Sequence, residues 1–342
     1  MRRVGALMVA CACLPLGGGT MHALAAPSTA PQVEACATHK DVLGLSRIVE
    51  VDATGGPLFG RVAHGGYDFL KDGEIVLTFD DGPLRAYTRA VLKALDEHCT
   101  KATFFMVGRM AAGDPAMVRE VAAHGHTIAS HTWSHAKLQG LAEDKARDEI
   151  ELGFSAVAQA AKAPIAPFFR FPYLRPNPSA ANYLKTRDIA SFTIDVDSRD
   201  FRTRDGEAVE KTVLAQLAGR RKGILLFHDI QPSTAHALPA ILSELKKHGF
   251  KVVHLVPKHP ATTLAEYDAQ AERLIAHRAL AAAKEPLAPR ALTWAQSSDG
   301  TGREASPWTA QTTADGASQQ SAAAKPTNED STVPWYKQWL LP

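Results

Sequence analysis

The sequence predicts an α/β protein whose parallel sheet is bent into a distorted or incomplete (β/α)7-8 barrel. Three observations lead there. From Glu74 to about Leu255 short apolar runs alternate with helical patterns, the signature of repeated βα units. The apolar runs are brief and rich in β-branched or aromatic residues, as buried strands are. Polar residues gather where those strands end, which favours a barrel with its site at the carboxyl face over an open sheet.

The first of these runs, Ile75 to Phe79, stops abruptly in Asp80-Asp81-Gly82-Pro83, two carboxylates and a turn signal. Adjacent residues of an extended chain point opposite ways, so Asp80 and Asp81 cannot share one task. Tyr87 to His98 is helical, with Ala90, Val91, Ala94 and Leu95 on one face. Ala102 to Val107 is a strand. Pro115 to Ala123 is a helix that Asp114 caps, with proline in its first turn. A brief strand at His126 to Ala129 precedes a long helix at Asp144 to Ala161. Further strands are expected at Phe168 to Phe171, Ala190 to Ile194, Ile224 to Phe227 and Val252 to Leu255, separated by helices at about Ser179 to Lys185, Ala208 to Ala218 and Leu238 to His248.

Composition bounds the rest. The chain has 342 residues, 45% hydrophobic and 22% charged, enough for one large domain with appendages. A formal charge of +2 gives no reason to expect nucleic acid as a partner. Residues 1–25 read as an export signal: Arg2 and Arg3, the short apolar run Val4 to Leu16, then Ala23-Leu24-Ala25. That run is too short to span a bilayer comfortably, so no membrane span is expected in the mature chain and the protein is expected to be periplasmic or secreted. Of four cysteines, Cys11 and Cys13 leave with the signal. Cys36 and Cys99 remain as an even pair in an oxidising compartment, and a disulfide between them is expected to pin the amino-terminal arm to the domain. That arm, residues 26–73, reads as a small hairpin or cap, with alternation around Ile48 to Val51. The catalytic domain is placed at 74–260. Residues 261–342 begin with an alanine-rich helix at Thr263 to Lys284, and from Gln296 to Thr332 the composition is that of disorder. The aromatic end, Pro334 to Leu340, could dock or stay unstructured.

The second chemical feature is His131-Thr132-Trp133-Ser134-His135. Two histidines four apart lie on one face of a helical turn and can share one metal ion. Alone, such a pair is more often a pair of surface or capping residues. With Asp81 they complete a His-His-Asp set that leaves a coordination position for water, as catalytic sites do. His124 and His126 fall outside this spacing and read as ordinary loop histidines. Arg170 before a proline, His228 after four apolar residues, and Asp195, Asp197 and Asp200 each also have a plain structural reading.

Thr78-Phe79-Asp80-Asp81-Gly82-Pro83 and His131-Thr132-Trp133-Ser134-His135 resemble the first two motifs of the polysaccharide deacetylase family, the NodB-homology fold of carbohydrate esterase family four. Arg170-Phe171-Pro172-Tyr173 resembles the third motif, Asp197-Ser198-Arg199-Asp200-Phe201 the fourth, and Leu225-Leu226-Phe227-His228-Asp229 the fifth, all in the family's order. The resemblance covers roughly Glu74 to Leu255. It implies metal-assisted hydrolysis of an N-acetyl group on a polysaccharide or oligosaccharide. Asp81, His131 and His135 would hold one divalent metal ion; zinc suits them best, and cobalt, nickel or manganese would also fit. Asp80 would be the general base, paired with Arg170. His228 would protonate the departing amine, helped by Asp200. The backbone N–H of Tyr173 would face the oxyanion, and Phe201 and Leu226 would line a pocket for the acetyl methyl. Two departures stand out. Phe201 replaces the family's usual tryptophan, which puts pocket shape in question. Leu174 follows Tyr173 where glycine is frequent, which bears on the oxyanion loop.

The expected function is therefore an N-deacetylase acting on an N-acetylglucosamine polymer such as peptidoglycan, a chitin-like chain or an exopolysaccharide. An O-acetyl esterase on xylan-like chains or a small-amide hydrolase would keep the site and change the substrate; the export signal argues against the small amide. A catalytically dead carbohydrate-binding module is disfavoured, because every acid, base and ligand position is filled.

Overall fold

The computed structural model describes Cys36, residues 42–61 and residues 68–284. The expected export signal at 1–25, the low-complexity stretch and the aromatic end lie outside the described residues. Ten strands are found among those described: β1 (Arg47–Val51), β2 (Leu58–Phe59), β3 (Glu74–Asp80), β4 (Thr103–Met106), β5 (Thr127–Ser130), β6 (Phe168–Phe169), β7 (Ala190–Phe192), β8 (Val196–Asp197), β9 (Gly223–His228) and β10 (Lys251–Pro257). The helices that alternate with them are α1 (Arg85–Glu97), α2 (Gly108–Gly113), α3 (Pro115–Ala123), α4 (Glu143–Ala161), α5 (Pro178–Thr186), α6 (Gly206–Arg220), α7 (Pro232–Lys247) and α8 (Ala265–Lys284).

All strand pairs are parallel. β3 lies between β4 and β9, β8 flanks β9, and the sheet runs on through β5, β6 and β7 to β2. Among the described residues hydrogen bonds do not close it into a ring, so the expected distorted barrel is present in open form. The arm differs from expectation. β1 and β2 form no hairpin: β1 pairs with β10 and β2 with β7, so each extends the sheet from a distant point of the chain. Alternating polarity around Ile48 marks a strand but says nothing about a partner so remote in sequence.

Side chains alternate along β3 and so define two layers. Ile75, Leu77 and Phe79 face the helices with Val91, Leu95, Leu238 and Leu242. Val76 faces the other way, among Phe105, Phe168, Phe192 and Ile224. That inner layer is a stack of rings: Phe192 packs on Phe59 at 4.7 Å and on Phe168 at 4.9 Å between centroids. Thr78 and Asp80 share the inner face with Val76, so Asp80 sits directly above an apolar plug.

The expected cap at Asp114 is present, and the structure adds one at Asn177. Asp114 accepts from the Met117 N–H at the start of α3, and Asn177 caps α5 through Ser179 and Ala180. α7 begins six residues before the expected Leu238. Pro232 occupies its first turn, where a missing N–H is harmless, and the helix continues through Pro239 because Leu238, Ile241, Leu242 and Leu245 are fully buried. α8 packs on α4, with Ala271 buried against Leu152 and Ala156, and Tyr267 Oη donates to Asp148 at 2.7 Å. Cys36 and Cys99 form the expected disulfide. No described helix is long and apolar enough to cross a membrane.

Candidate active site

The expected site residues meet at the carboxyl ends of the strands. Asp80 closes β3 on the inner face and is 2% exposed. Arg170 comes directly after β6 and lies wholly buried on the Phe105 ring, its guanidinium carbon 4.2 Å from the centroid. Arg170 Nη1 donates to Asp80 Oδ1 at 2.6 Å and to Thr78 Oγ1 at 2.8 Å, while Nε and Nη2 reach the carbonyls of Phe192 and Thr193. Every arm of the guanidinium is thus occupied, which fixes the fork. Burial raises Asp80 to about 6, against the opposing charges of Arg170 and His228 and with the help of Asp81. Asp80 is therefore predominantly ionised at neutral pH.

Asp81 leaves the strand with a left-handed backbone (φ 75°), and Gly82-Pro83 is cis. The reversal swings Asp81 away from Asp80 and towards two histidines. Asp81 Oδ1 is 3.5 Å from His131 Nε2 and 3.3 Å from His135 Nε2. One donor atom from each of the three residues lies within 4.8 Å of the others, and all three side chains are buried. His131 Nδ1 contacts the Arg170 carbonyl at 2.7 Å, which places the proton on Nδ1 and leaves Nε2 as a lone-pair donor. Burial, reinforced by His135, pushes His131 down to about 3 despite Asp81, so the imidazole is neutral and competent as a ligand. Donor type, tautomer and spacing fit a divalent cation.

The histidines do not share a helical turn, contrary to expectation. Residues 131–135 are a loop in which Thr132 (φ 67°) and His135 (φ 59°) are left-handed. The loop's backbone bonds go elsewhere: Gly108 N and Arg109 N donate to the Thr132 and Trp133 carbonyls, and Trp133 N donates to the Glu149 carbonyl at 2.7 Å. The Glu149 carboxylate accepts from Ser134 N and Ser134 Oγ. Glu149 and Thr78 therefore shape the site, yet a mid-helix glutamate and a strand threonine carry no signal that sequence alone could separate from their neighbours.

Across the mouth, His228 ends β9. Its Nδ1 is 2.7 Å from Asp200 Oδ1, and its backbone N–H donates to Asp200 Oδ2 at 2.7 Å. Thr234 Oγ1 also donates to Asp200 Oδ2, and Ser233 Oγ to the Asp200 carbonyl. Burial alone would lower His228, but the charge and hydrogen bond of Asp200, with Asp81 and Asp80 beyond, raise it to about 10. Tyr173 is left-handed (φ 59°), as is Leu174, and its ring meets His135 edge-on at 4.7 Å. Phe201 presents its ring to His228 at 5.6 Å. Both aromatics are half exposed, 49% and 51%, whereas Leu226 is buried on β9 in register with Thr78 and Asp197. Asp229, next to His228, is pushed up to about 7 by burial, with Thr88 opposing and Asp81 contributing.

The histidines outside the motif both lie in the connection between α3 and β5, as expected, but they are not equally exposed. His126 is buried against the Phe104 ring and accepts from Ala102 N, and burial holds it well below its ordinary value. His124 pairs with Asp96.

The sequence profile of the polysaccharide deacetylase family matches residues 70–191. The chain is 34% identical over 183 residues to a peptidoglycan-N-acetylglucosamine deacetylase, PgdA, of Listeria monocytogenes, a match that takes in 52% of this chain and 37% of that protein. It thus spans little more than a third of that relative's length. It is 31% identical over 217 residues to a chitooligosaccharide deacetylase of Bradyrhizobium, covering 59% of this chain and 97% of the relative. Among solved structures, the Bdellovibrio bacteriovorus peptidoglycan deacetylase Bd3279 superposes with a TM-score of 0.59 at 35% identity, over 65% of this chain and 62% of that one. On these matches, and on a parallel α/β sheet with Asp80, Asp81, His131 and His135 gathered at its carboxyl ends, the chain belongs to the polysaccharide deacetylase family.

Proposed function

We propose that this protein is a metal-dependent hydrolase that removes N-acetyl groups from a polysaccharide containing N-acetylglucosamine, with peptidoglycan the first candidate and chitin oligomers the next. One observation carries the proposal: a buried aspartate locked by a buried arginine stands beside a three-donor ligand group and opposite a histidine bonded to Asp200. In this reading Asp81, His131 and His135 hold the divalent ion, with zinc the best match to two imidazoles and a carboxylate. When bound, such an ion supplies Lewis acidity, making a water acidic near neutral pH and polarising a carbonyl.

The chain's own groups do the rest. Asp80 accepts the proton of the attacking water, and Arg170 keeps its carboxylate aimed and charged. The Tyr173 N–H, on its left-handed turn, stabilises the oxyanion as charge develops. His228, held protonated by Asp200, gives its proton to the departing amine, since an amine leaves poorly as an anion. Phe201 and Leu226 flank the acetyl methyl, and the Tyr173 ring offers a face to a sugar. The Cys36–Cys99 bond supports an exported, oxidising location.

The test is acetate release by zinc- or cobalt-loaded protein from peptidoglycan, chitin oligomers and acetylated xylan in parallel. Release from a glucosamine polymer, lost with chelator and restored by metal, is expected. Release from xylan alone would turn the assignment to an O-acetyl esterase, and release from none would refute the deacetylase reading.

A further inference from the structure

Asp229 lies one residue beyond His228, and the proposed mechanism gives it no task. It is 1% exposed. Its Oδ2 accepts from Thr88 Oγ1 at 2.6 Å, and the same Thr88 oxygen accepts the Leu84 N–H at 2.9 Å. Among the described residues, Asp229 Oδ1 has no hydrogen-bond partner. Both carboxylate oxygens lie instead against Gly82: a Cβ built on Gly82 would stand 2.2 Å from each. A side chain at position 82 would have to displace the Asp229 carboxyl group, which rests against the bare Cα.

Gly82 and Leu84 belong to the turn by which the chain leaves β3. Asp81, at its head, is left-handed, a conformation that costs an aspartate about 1 kcal/mol and lasts only where the surroundings impose it. One side of the turn is held by the carboxyl end of β4: Asp81 N donates to the Phe105 carbonyl and Val107 N to the Gly82 carbonyl, both at 3.2 Å. The other side is held by Asp229, directly at Gly82 and through Thr88 at Leu84.

The geometry points to Asp229 as a positioning residue that, through Thr88 and the open face of Gly82, seats the turn aiming Asp81 at His131 and His135. The inference rests on the metal-centre reading above. Because Asp229 is joined to His228 by one peptide bond, it also ties the strand end that bears the proposed acid to the turn that bears the proposed ligand. A role in packing alone would lower stability and leave metal affinity untouched.

The experiment is Co2+ titration of the full chain, monitored by calorimetry and by the visible spectrum of the ion, with thermal melting alongside. Asp229→Ala and Thr88→Val are expected to weaken Co2+ binding about 10- to 100-fold and to alter the spectrum, as loss of an outer-shell partner does. Asp229→Asn keeps an acceptor for Thr88 and a planar group on Gly82, and is expected to stay within about threefold of the parent. Unchanged affinity in folded Asp229→Ala, or in Thr88→Val where the alanine variant does not fold, overturns the inference. Equal losses in the asparagine and alanine variants also overturn it, because charge rather than seating would then be at stake. A parent chain that takes up no Co2+ overturns the metal centre itself, and this inference with it.

Discussion

Asp80 and Asp81 are neighbours with different surroundings, and the difference predicts different variants. Asp80→Asn keeps the shape beside Arg170 and removes the proton acceptor; turnover should fall by at least about 100-fold while Co2+ or Zn2+ still binds. His131→Ala should lose metal and turnover together, checked by metal analysis of the purified variant. The pH profile comes from two shifts of known sign. In the proposed mechanism Asp80 must be ionised, so activity falls as pH drops through its value, at about 6 and lower with a cation alongside. The same mechanism needs His228 protonated, so activity falls as pH rises through its raised value. Asp200→Asn removes the charge that opposes burial, and the alkaline limb should move down by about one pH unit or more; an unmoved limb would remove His228 from the role of acid. These residues were legible because a strand's alternation separates Asp80 from Asp81 and because the motifs recur in order. The left-handed backbone at Asp81, Thr132 and His135 was not legible: aspartate and histidine adopt it more often than most residues but still rarely, and threonine carries no such tendency.

At the level of elements, the histidine loop depends on α4. Gly153 faces the loop, and a Cβ there would stand 2.6 Å from the Thr132 carbonyl carbon. Gly153→Ala should therefore destabilise by about 1–3 kcal/mol and weaken metal binding, because backbone at Thr132 must yield before any flexible side chain can. Melting and metal titration of the variant measure both effects; a stabilised variant, as an ordinary helical Gly→Ala change would give, would refute the contact's importance. The two-histidine spacing suggested a helix because i and i+4 are neighbours on one. The chain achieves the same proximity with a loop, the two imidazole centroids 4.9 Å apart, by lending its backbone donors and acceptors to α2 and α4. Such partners are set by tertiary packing and leave no periodic trace. The same holds for β1 and β2, whose strand character was visible and whose remote partners were not.

For the whole molecule, the alternation of strands and helices was enough to give a parallel barrel-like sheet, since βα units of this length leave few other arrangements. Its openness was less legible, because the two-residue strands β2 and β8 at its margins are too short to stand out in a pattern. The disulfide was legible from counting cysteines. It closes a loop spanning 63 positions, for which chain entropy alone gives about 4 kcal/mol. Cys36→Ser with Cys99→Ser should lower the urea midpoint markedly and leave turnover under native conditions nearly unchanged, because Cys99 precedes β4 and the site lies beyond its far end. Denaturation and activity of the paired variant would show it.

The position of β3 also orders events in time. It is met early in synthesis, yet its neighbour β9 arrives late: the bond from Thr78 Oγ1 to the Leu225 carbonyl joins residues 147 positions apart. His228 and Asp229 arrive with that same late strand. Contacts so distant in sequence form slowly, because the intervening chain must be gathered first. A nascent chain that has not yet delivered β9 therefore has Asp80 and Asp81 but neither the strand that registers them nor the histidine opposite, and the proposed site is complete only when nearly all of the barrel has been made.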